Sequence, residues 1–307
     1  TDRNTTAVIG YSDYIALFND NIKFNVKNFD SSTVSVFSTN WKRIKECILQ
    51  SFRLLEVWGF NNDSLRAKNA VIPIIYYVYW NNIEGSLLKK TEHLKCKENM
   101  RKWLCIALLK GVFGGQTDTI LTKIRNVLKN HSGDLFPLDD IINAFKGQDR
   151  NFSFDDDFIK NILRTQKNSS ACYPILSLLY SHLSFENDRY HMDHLHPAIS
   201  FSKERLIEFF GSEDKIPSEY FTNPEYWNSV VNLQLLNSGL NESKNDTPLS
   251  DWIKNNHINI ETQLIPSGTS YDFKDFVAFY DERMKLLEGR LKKITESQTQ
   301  DNQEFLS

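Results

Sequence analysis

Three observations predict a mainly α-helical protein in which a helical bundle precedes a strand-turn-helix segment and C-terminal helices. Apolar residues recur at three- and four-residue steps through most of the chain, as they do on the buried face of a helix. Glycine and proline are sparse, with 12 and 8 among 307 residues, and the loops between helical patterns are short. The exception is residues 230–244, where an apolar run typical of a strand leads through a turn into a helix.

The pattern predicts two domains, a helical one over residues 1–184 and a second one over residues 185–307. A long helix is expected to begin after the capping residues 38–40 and to end at Gly59. The acidic run 155–157 is interpreted as the start of a helix and not as a metal cluster, because acids there complement the helix dipole. Further helices are predicted at residues 11–18, 64–80, 97–109, 117–129, 138–145, 155–165, 172–183, 241–253 and 272–294.

Composition excludes several classes of protein. The net charge of −3 gives the whole chain no general attraction for nucleic acid, so any such contact needs a local basic face. The four cysteines form no C-x-x-C pair, which argues against a zinc ribbon and favours reduced thiols in a cytoplasmic protein. The longest apolar run, residues 70–80, is too short to cross a bilayer, and we expect no membrane partner.

Residues with the chemistry of a catalytic site concentrate between positions 190 and 244. Hydrolysis of a phosphodiester needs an activated water, stabilisation of charge and help for the leaving oxygen, and one divalent metal with one histidine supplies all three. Asp193 is a hard oxygen ligand suited to Mg²⁺, and His194 follows it directly. Because neighbouring strand side chains point to opposite faces, a bulge or turn after His194 is expected if both face one phosphate. Later in the stretch, the amide oxygen of Asn241 can bind the same ion, and Lys244 can reach a phosphate oxygen.

These residues resemble the HNH nucleases of the ββα-metal class. Asp193-His194 is followed by a hydrophobic residue, a variable residue and Pro197, and Asn232 precedes Asn241 by nine residues. The HNH domains of RNA-guided CRISPR nucleases have similar elements with the same spacing. The resemblance implies that His194 is the general base, while Asn232 braces the loop and helps orient the histidine. It also implies that Asp193 and Asn241 hold Mg²⁺, or another divalent cation such as Mn²⁺.

The flanking segments resemble GmrSD-type proteins, which are bacterial anti-phage enzymes that include restriction factors for modified DNA and SspE-like nickases. The similar segments are the helix after Trp41, residues 70–79, 103–115, 232–236 and 264–266, and the C-terminal helix around residues 276–283. This implies endonucleolytic nicking of phage or plasmid DNA in a bacterial cytoplasm, leaving 5′-phosphate and 3′-hydroxyl ends. Double-strand breaks would require a homo-oligomer or repeated nicking.

Many such relatives carry an N-terminal nucleotide-hydrolysing sensor domain, and this sequence has no segment that resembles one. We therefore expect the chain to be the C-terminal half of a longer protein, with the sensor domain as a partner. Two alternatives stay open: a non-catalytic helical adaptor with a degenerate HNH motif, and a ribonuclease on the same scaffold. Lys244 and His196 are candidates for substrate contact, although a structural or exposed position is the favoured interpretation for both His196 and His191.

The charge around the motif poses a problem for DNA binding. Between residues 186 and 254, carboxylates outnumber Lys and Arg, which should repel a polyanion. The helices around residues 89–129 are rich in Lys and Arg, and they suit a phosphate-facing surface as well as a plain solvated face. The sequence therefore predicts that DNA is held by those helices or by the sensor domain.

Overall fold

The computed structural model describes residues 31–300 apart from residues 90, 116 and 132. Within these ranges the chain is mainly helical and its only sheet has two strands, which confirms the prediction of a mainly α protein. The helix predicted at residues 11–18 lies outside the described residues. In the part of the chain that is described, no helix is long and apolar enough to cross a membrane.

The chain divides after Ser153 into two compact units. The sequence predicts a boundary after residue 184, whereas the structure places residues 154–184 in the second unit. Two helices of that segment pack against the long C-terminal helix, which explains why it belongs with the later residues. The second unit therefore begins with two helices that precede the HNH-like motif.

Five helices build the described part of the first unit. They are α1 (Ser31–Val57), α2 (Ile72–Trp80), α3 (Leu94–Lys110), α4 (Thr117–Asn130) and α5 (Leu138–Ala144). Their apolar faces enclose a core in which Trp103 is fully buried, and its indole Nε1 donates to the carbonyl oxygen of Ala70 at 2.9 Å. The glycine predicted to end α1, Gly59, has a φ of 80°, a conformation that a side chain would strain.

Two helix starts in this unit differ from prediction. Residues 38–40 lie inside α1, where the Thr39 hydroxyl donates to the carbonyl of Ser35, four residues earlier. The helix predicted over residues 64–80 begins only at Ile72, after a 3₁₀ turn at Lys68–Val71. Pro73 explains the late start, because a residue without an N–H is tolerated in the first turn of a helix and not in its interior.

The basic helices of the first unit are less exposed than the sequence suggests. Lys97 and Arg101 on α3 are buried, with 2% and 4% of their surface accessible. The Lys110 ammonium donates to the carbonyl of Ser153 at 2.8 Å. Several of the charges assigned to a phosphate-facing surface are therefore engaged within the unit.

The second unit holds the sheet and the remaining helices. The helices are α6 (Asp156–Leu163), α7 (Cys172–Leu179), α8 (Lys203–Phe210), α9 (Pro224–Trp227), α10 (Ser238–Lys244), α11 (Leu249–Asn255) and α12 (Phe276–Gln300). Strands β1 (Tyr190–His194) and β2 (Leu233–Asn237) are antiparallel, with Asp193 opposite Gln234 and His194 opposite Leu233. The Asp155 side chain accepts from the Phe158 amide at 2.8 Å, so this acid caps α6 as predicted.

The strand-turn-helix segment differs from prediction in two places. Asn237 ends β2 and caps α10 by accepting from the Leu240 amide at 2.9 Å. The single helix predicted over residues 241–253 is two helices, because Asn245 has a φ of 41° and Pro248 precedes α11. The strand predicted from residue 230 starts at Leu233, after a 3₁₀ turn at Val230–Asn232.

Arg283 on α12 connects the C-terminal helix to β2 and to the residues just before it. Its side chain is fully buried, and its guanidinium donates to the carbonyls of Leu264, Val231 and Leu233 and to the Tyr180 hydroxyl. Two of these carbonyls flank Asn232. A rigid, planar group with five donors therefore fixes the peptide units on both sides of a predicted site residue.

Candidate active site

Asp193 lies in a group of three polar side chains that we call the lysine cluster: Asp193, Gln234 and Lys244. The Lys244 ammonium lies 3.0 Å from Asp193 Oδ2 and donates to the carbonyl of His194 at 2.6 Å. Gln234, the cross-strand partner of Asp193, donates through Nε2 to the same carboxylate oxygen at 3.2 Å. Lys244 is fully buried, while 21% of the Asp193 side chain is exposed. Burial lowers the pKa of Lys244, and the adjacent carboxylate of Asp193 counteracts that effect.

Asn232 fastens the chain that leaves β1. Its Oδ1 accepts from the His196 amide at 3.0 Å, and its Nδ2 donates to the carbonyls of His196 and Trp227 at 3.0 and 2.8 Å. Its own carbonyl accepts from the Leu195 amide at 2.8 Å. Asn232 has no exposed surface, and its Oδ1 and both Nδ2 hydrogens are hydrogen-bonded to backbone groups. It therefore holds the bend at residues 195–196 that follows His194.

His194 belongs to a second group, the histidine cluster: His194, Trp227 and Asn228. His194 Nε2 lies 3.0 Å from Asn228 Oδ1, and its ring lies beside Trp227 with centroids 6.2 Å apart. An amide oxygen only accepts, so Nε2 carries the proton and Nδ1 is left as the proton acceptor. Neither Asn228 nor Trp227 belongs to the motif, and Asn228 is 34 residues away in sequence.

The pKa of His194 is lowered to about 4. Burial is the main cause, and the ammonium of Lys167 acts in the same direction, while the hydrogen bond to Asn228 and the charge of Asp193 oppose it. The ring is therefore neutral near pH 7 and free to accept a proton. An anionic phosphate placed beside it would raise its pKa and make it a better base.

Lys167 reaches this cluster through a short backbone pairing. Gln166 and Ser229 form an isolated antiparallel bridge, the Lys167 amide donates to the Asn228 carbonyl, and the Val230 amide donates to the Thr165 carbonyl, both at 2.9 Å. Residues 165–167 thus run alongside the segment that presents Asn228 to His194. Nothing in the sequence motif indicates this pairing, because it joins segments about sixty residues apart.

The donor groups near Asp193 suit a hard divalent cation. Asp193 Oδ1 and the Asn241 side chain make no hydrogen bond within the described ranges, and Asn241 lies one helical turn before Lys244 on α10. Mg²⁺ is bound through one or two carboxylates together with waters and substrate phosphates, so the Asp193 carboxylate is a donor that fits it. Among the described residues, no group of three or more His, Cys, Asp or Glu side chains offers a fuller set of ligands.

The other two predicted histidines have different surroundings. His191 is exposed and its Nε2 lies 3.1 Å from the Ser238 hydroxyl. His196 is 1% exposed, and its ring packs edge-on against Phe276 and Phe279 with centroids 5.3 and 4.8 Å away. Burial lowers the pKa of His196 to about 3. His196 also borders a cavity of about 580 Å³ whose lining includes Arg205, so its predicted contact with substrate stays a prediction.

Comparison with known proteins adds no family to this geometry. Neither the protein-family models nor the curated proteins contain a match to the chain.

Proposed function

We propose that the chain is a metal-dependent HNH endonuclease that nicks DNA, acting in bacterial defence against phage or other foreign DNA. The observation that carries the proposal is the bond between His194 Nε2 and Asn228, which leaves Nδ1 of a neutral histidine, the neighbour of Asp193 in sequence, as a proton acceptor. Two antiparallel strands followed directly by α10 give the order of elements that a ββα-metal site requires. The resemblance of the Asp-His and Asn-to-Asn spacing supports the same class.

Each residue then has a role that its surroundings allow. His194 takes a proton from the attacking water, and Asn228 holds the ring in the correct tautomer. Asn232 fixes the bend after β1 and so the direction in which His194 is presented. Asp193 and Asn241 would hold Mg²⁺, which when bound supplies charge stabilisation for the phosphate and the leaving oxygen.

The decisive experiment is nicking of supercoiled plasmid in the presence of Mg²⁺, with wild type and two variants at position 194. His194→Ala removes the base, and we expect a loss of about 10²-fold or more. His194→Gln is the matched control, because its amide can still donate to Asn228 but cannot take a proton at neutral pH. Equal nicking by wild type and both variants, with melting temperatures showing all three folded, would contradict the proposal.

The same plasmid experiment distinguishes the other substrates and partners. Catalytic groups that contact only phosphate and metal do not discriminate DNA from RNA. Parallel incubation with single-stranded RNA is therefore needed to distinguish a ribonuclease from a DNA nickase. Modified and unmodified plasmid test the expected role against modified DNA. EDTA should abolish cleavage, because the metal supplies most of the charge stabilisation.

A non-catalytic adaptor is the second candidate, and the lysine cluster favours it. Lys244 already supplies a buried cation to the carboxylate that a metal would need. If Asp193 serves only this ion pair, then Mg²⁺ and EDTA should leave the melting temperature unchanged. A rise in melting temperature with Mg²⁺ that Asp193→Asn abolishes would exclude the adaptor without reference to activity.

A further inference from the structure

Lys167 supplies a positive charge at the candidate active site that the HNH-like motif does not contain. The acids between residues 186 and 254 make the motif itself a poor surface for a polyanion. By contrast, residues 158–185 of the same unit contain no Asp or Glu. Lys160 and Arg164 come shortly before the segment that pairs with Asn228, and Lys167 lies in that segment.

Backbone hydrogen bonding fixes the position of Lys167. Its amide bonds to the carbonyl of Asn228, and the Asn228 side chain bonds to His194. Only one residue thus separates the backbone of Lys167 from the proposed base. The Lys167 side chain therefore leaves a backbone that is hydrogen-bonded to the partner of His194.

The ammonium of Lys167 is also available to a ligand. The side chain is partly exposed, and Lys167 makes no ion pair with any carboxylate in the described part of the chain. Lys244, the cation that the motif indicates, is fully buried on Asp193. An unpaired cation in a partly buried setting, on a segment bonded to the partner of His194, favours an anion as its partner.

We propose that Lys167 binds a non-bridging oxygen of the phosphate that faces His194. This inference rests on the proposed nuclease function and assigns that site a substrate-binding residue from outside the motif. The contact brings the phosphate against the base, and the ammonium offsets charge that develops on the phosphate oxygens. In this arrangement Lys167 takes the place that the sequence assigned to Lys244.

The test combines DNA binding with nicking. Binding of a short fluorescein-labelled duplex is followed by anisotropy at several salt concentrations, in a His194→Ala background that cannot cleave. Lys167→Gln should lower the magnitude of the salt slope by about 0.9, the value for one lost phosphate contact. In the otherwise wild-type protein it should lower nicking by about tenfold or more, while Lys167→Arg retains most of both.

Lys285→Gln is the matched control, because it removes the same charge from a lysine of the second unit that pairs with Glu282 at 2.7 Å. It should leave the slope and the nicking rate unchanged. Nicking by wild type with no effect of Lys167→Gln on rate or slope would overturn this inference and leave the nuclease proposal standing. A Lys167-dependent slope without nicking would instead refute the nuclease and retain the phosphate contact. Absence of both binding and nicking in the wild type would refute both.

Discussion

The lysine cluster and the histidine cluster are built on successive residues of β1, yet they use their polar groups in different ways. In the lysine cluster, the buried Lys244 ammonium has both the Asp193 carboxylate and the His194 carbonyl as partners. In the histidine cluster, one ring nitrogen of His194 is bonded to Asn228 and the other is left open, with the unpaired Lys167 nearby. Lys244, a residue of the motif, therefore stabilises the fold, whereas Lys167, which lies outside the motif, has no carboxylate partner among the described residues.

The largest effect on stability is expected at Lys244. Lys244→Met leaves the partly buried Asp193 carboxylate without its cation and the His194 carbonyl without its donor, so it should lower the free energy of unfolding by about 3–5 kcal/mol. Lys167→Met should change it by no more than about 0.5 kcal/mol, since that ammonium has no partner to lose. Urea unfolding of both variants measures the contrast. A Lys244→Met protein as stable as wild type would mean that the ammonium faces solvent or substrate instead.

The lysine cluster also shows where sequence reasoning reaches its limit. Spacing places Asn241 and Lys244 on one face of α10, and capping chemistry at Asn237 fits the start of that helix. Residue spacing does not predict which face of α10 packs on β1. Lys244 is buried because its face of the helix is the one that packs there. Asn228 and Lys167 were beyond prediction, because they reach His194 through contacts between distant segments. By contrast, α3 and α4 were predicted within a few residues, since apolar periodicity is local.

Asn232 is expected to give the second largest effect. Asn232→Ala removes the partners of the His196 amide and of the His196 and Trp227 carbonyls, all within a buried loop. Unpaired buried groups cost about 1–3 kcal/mol each, and partial relaxation should leave a net loss of about 2–4 kcal/mol. Thermal or urea unfolding tests this. An unchanged stability would show that the loop does not depend on the asparagine.

The pH dependence of stability should reveal the two buried histidines, His196 and His194, and His196 should contribute most. Its pKa is about 3 in the folded protein and about 6.5 in an unfolded chain, so folding disfavours the protonated form. Its contribution is complete above about pH 6.5 and is lost as pH falls towards about 3, at up to roughly 1.4 kcal/mol per pH unit. His196→Leu should therefore flatten the decline in stability between pH 6.5 and pH 5. His194, with a pKa of about 4, contributes in the same direction, so His194→Ala should flatten it as well.

Unfolding curves at several pH values measure both slopes. An unaltered slope in His196→Leu would mean that the ring is hydrated and protonates in the folded state. In that case the cavity beside His196 would be open to water at the ring, and a contact between His196 and substrate would become more plausible than a purely structural position.

Among the members of the two clusters, the smallest loss of stability is expected at Asn228, where the histidine cluster differs most from the lysine cluster. Asn228→Ala removes one partly exposed hydrogen bond and should cost about 1 kcal/mol or less. Nicking should fall by about tenfold or more, because the ring of His194 loses the group that sets its tautomer and direction. Asn228→Asp retains the acceptor and adds a charge that raises the pKa of His194, so activity should recover and appear only at a higher pH. A loss of stability in Asn228→Ala as large as that in Lys244→Met would mean that both clusters mainly stabilise the fold.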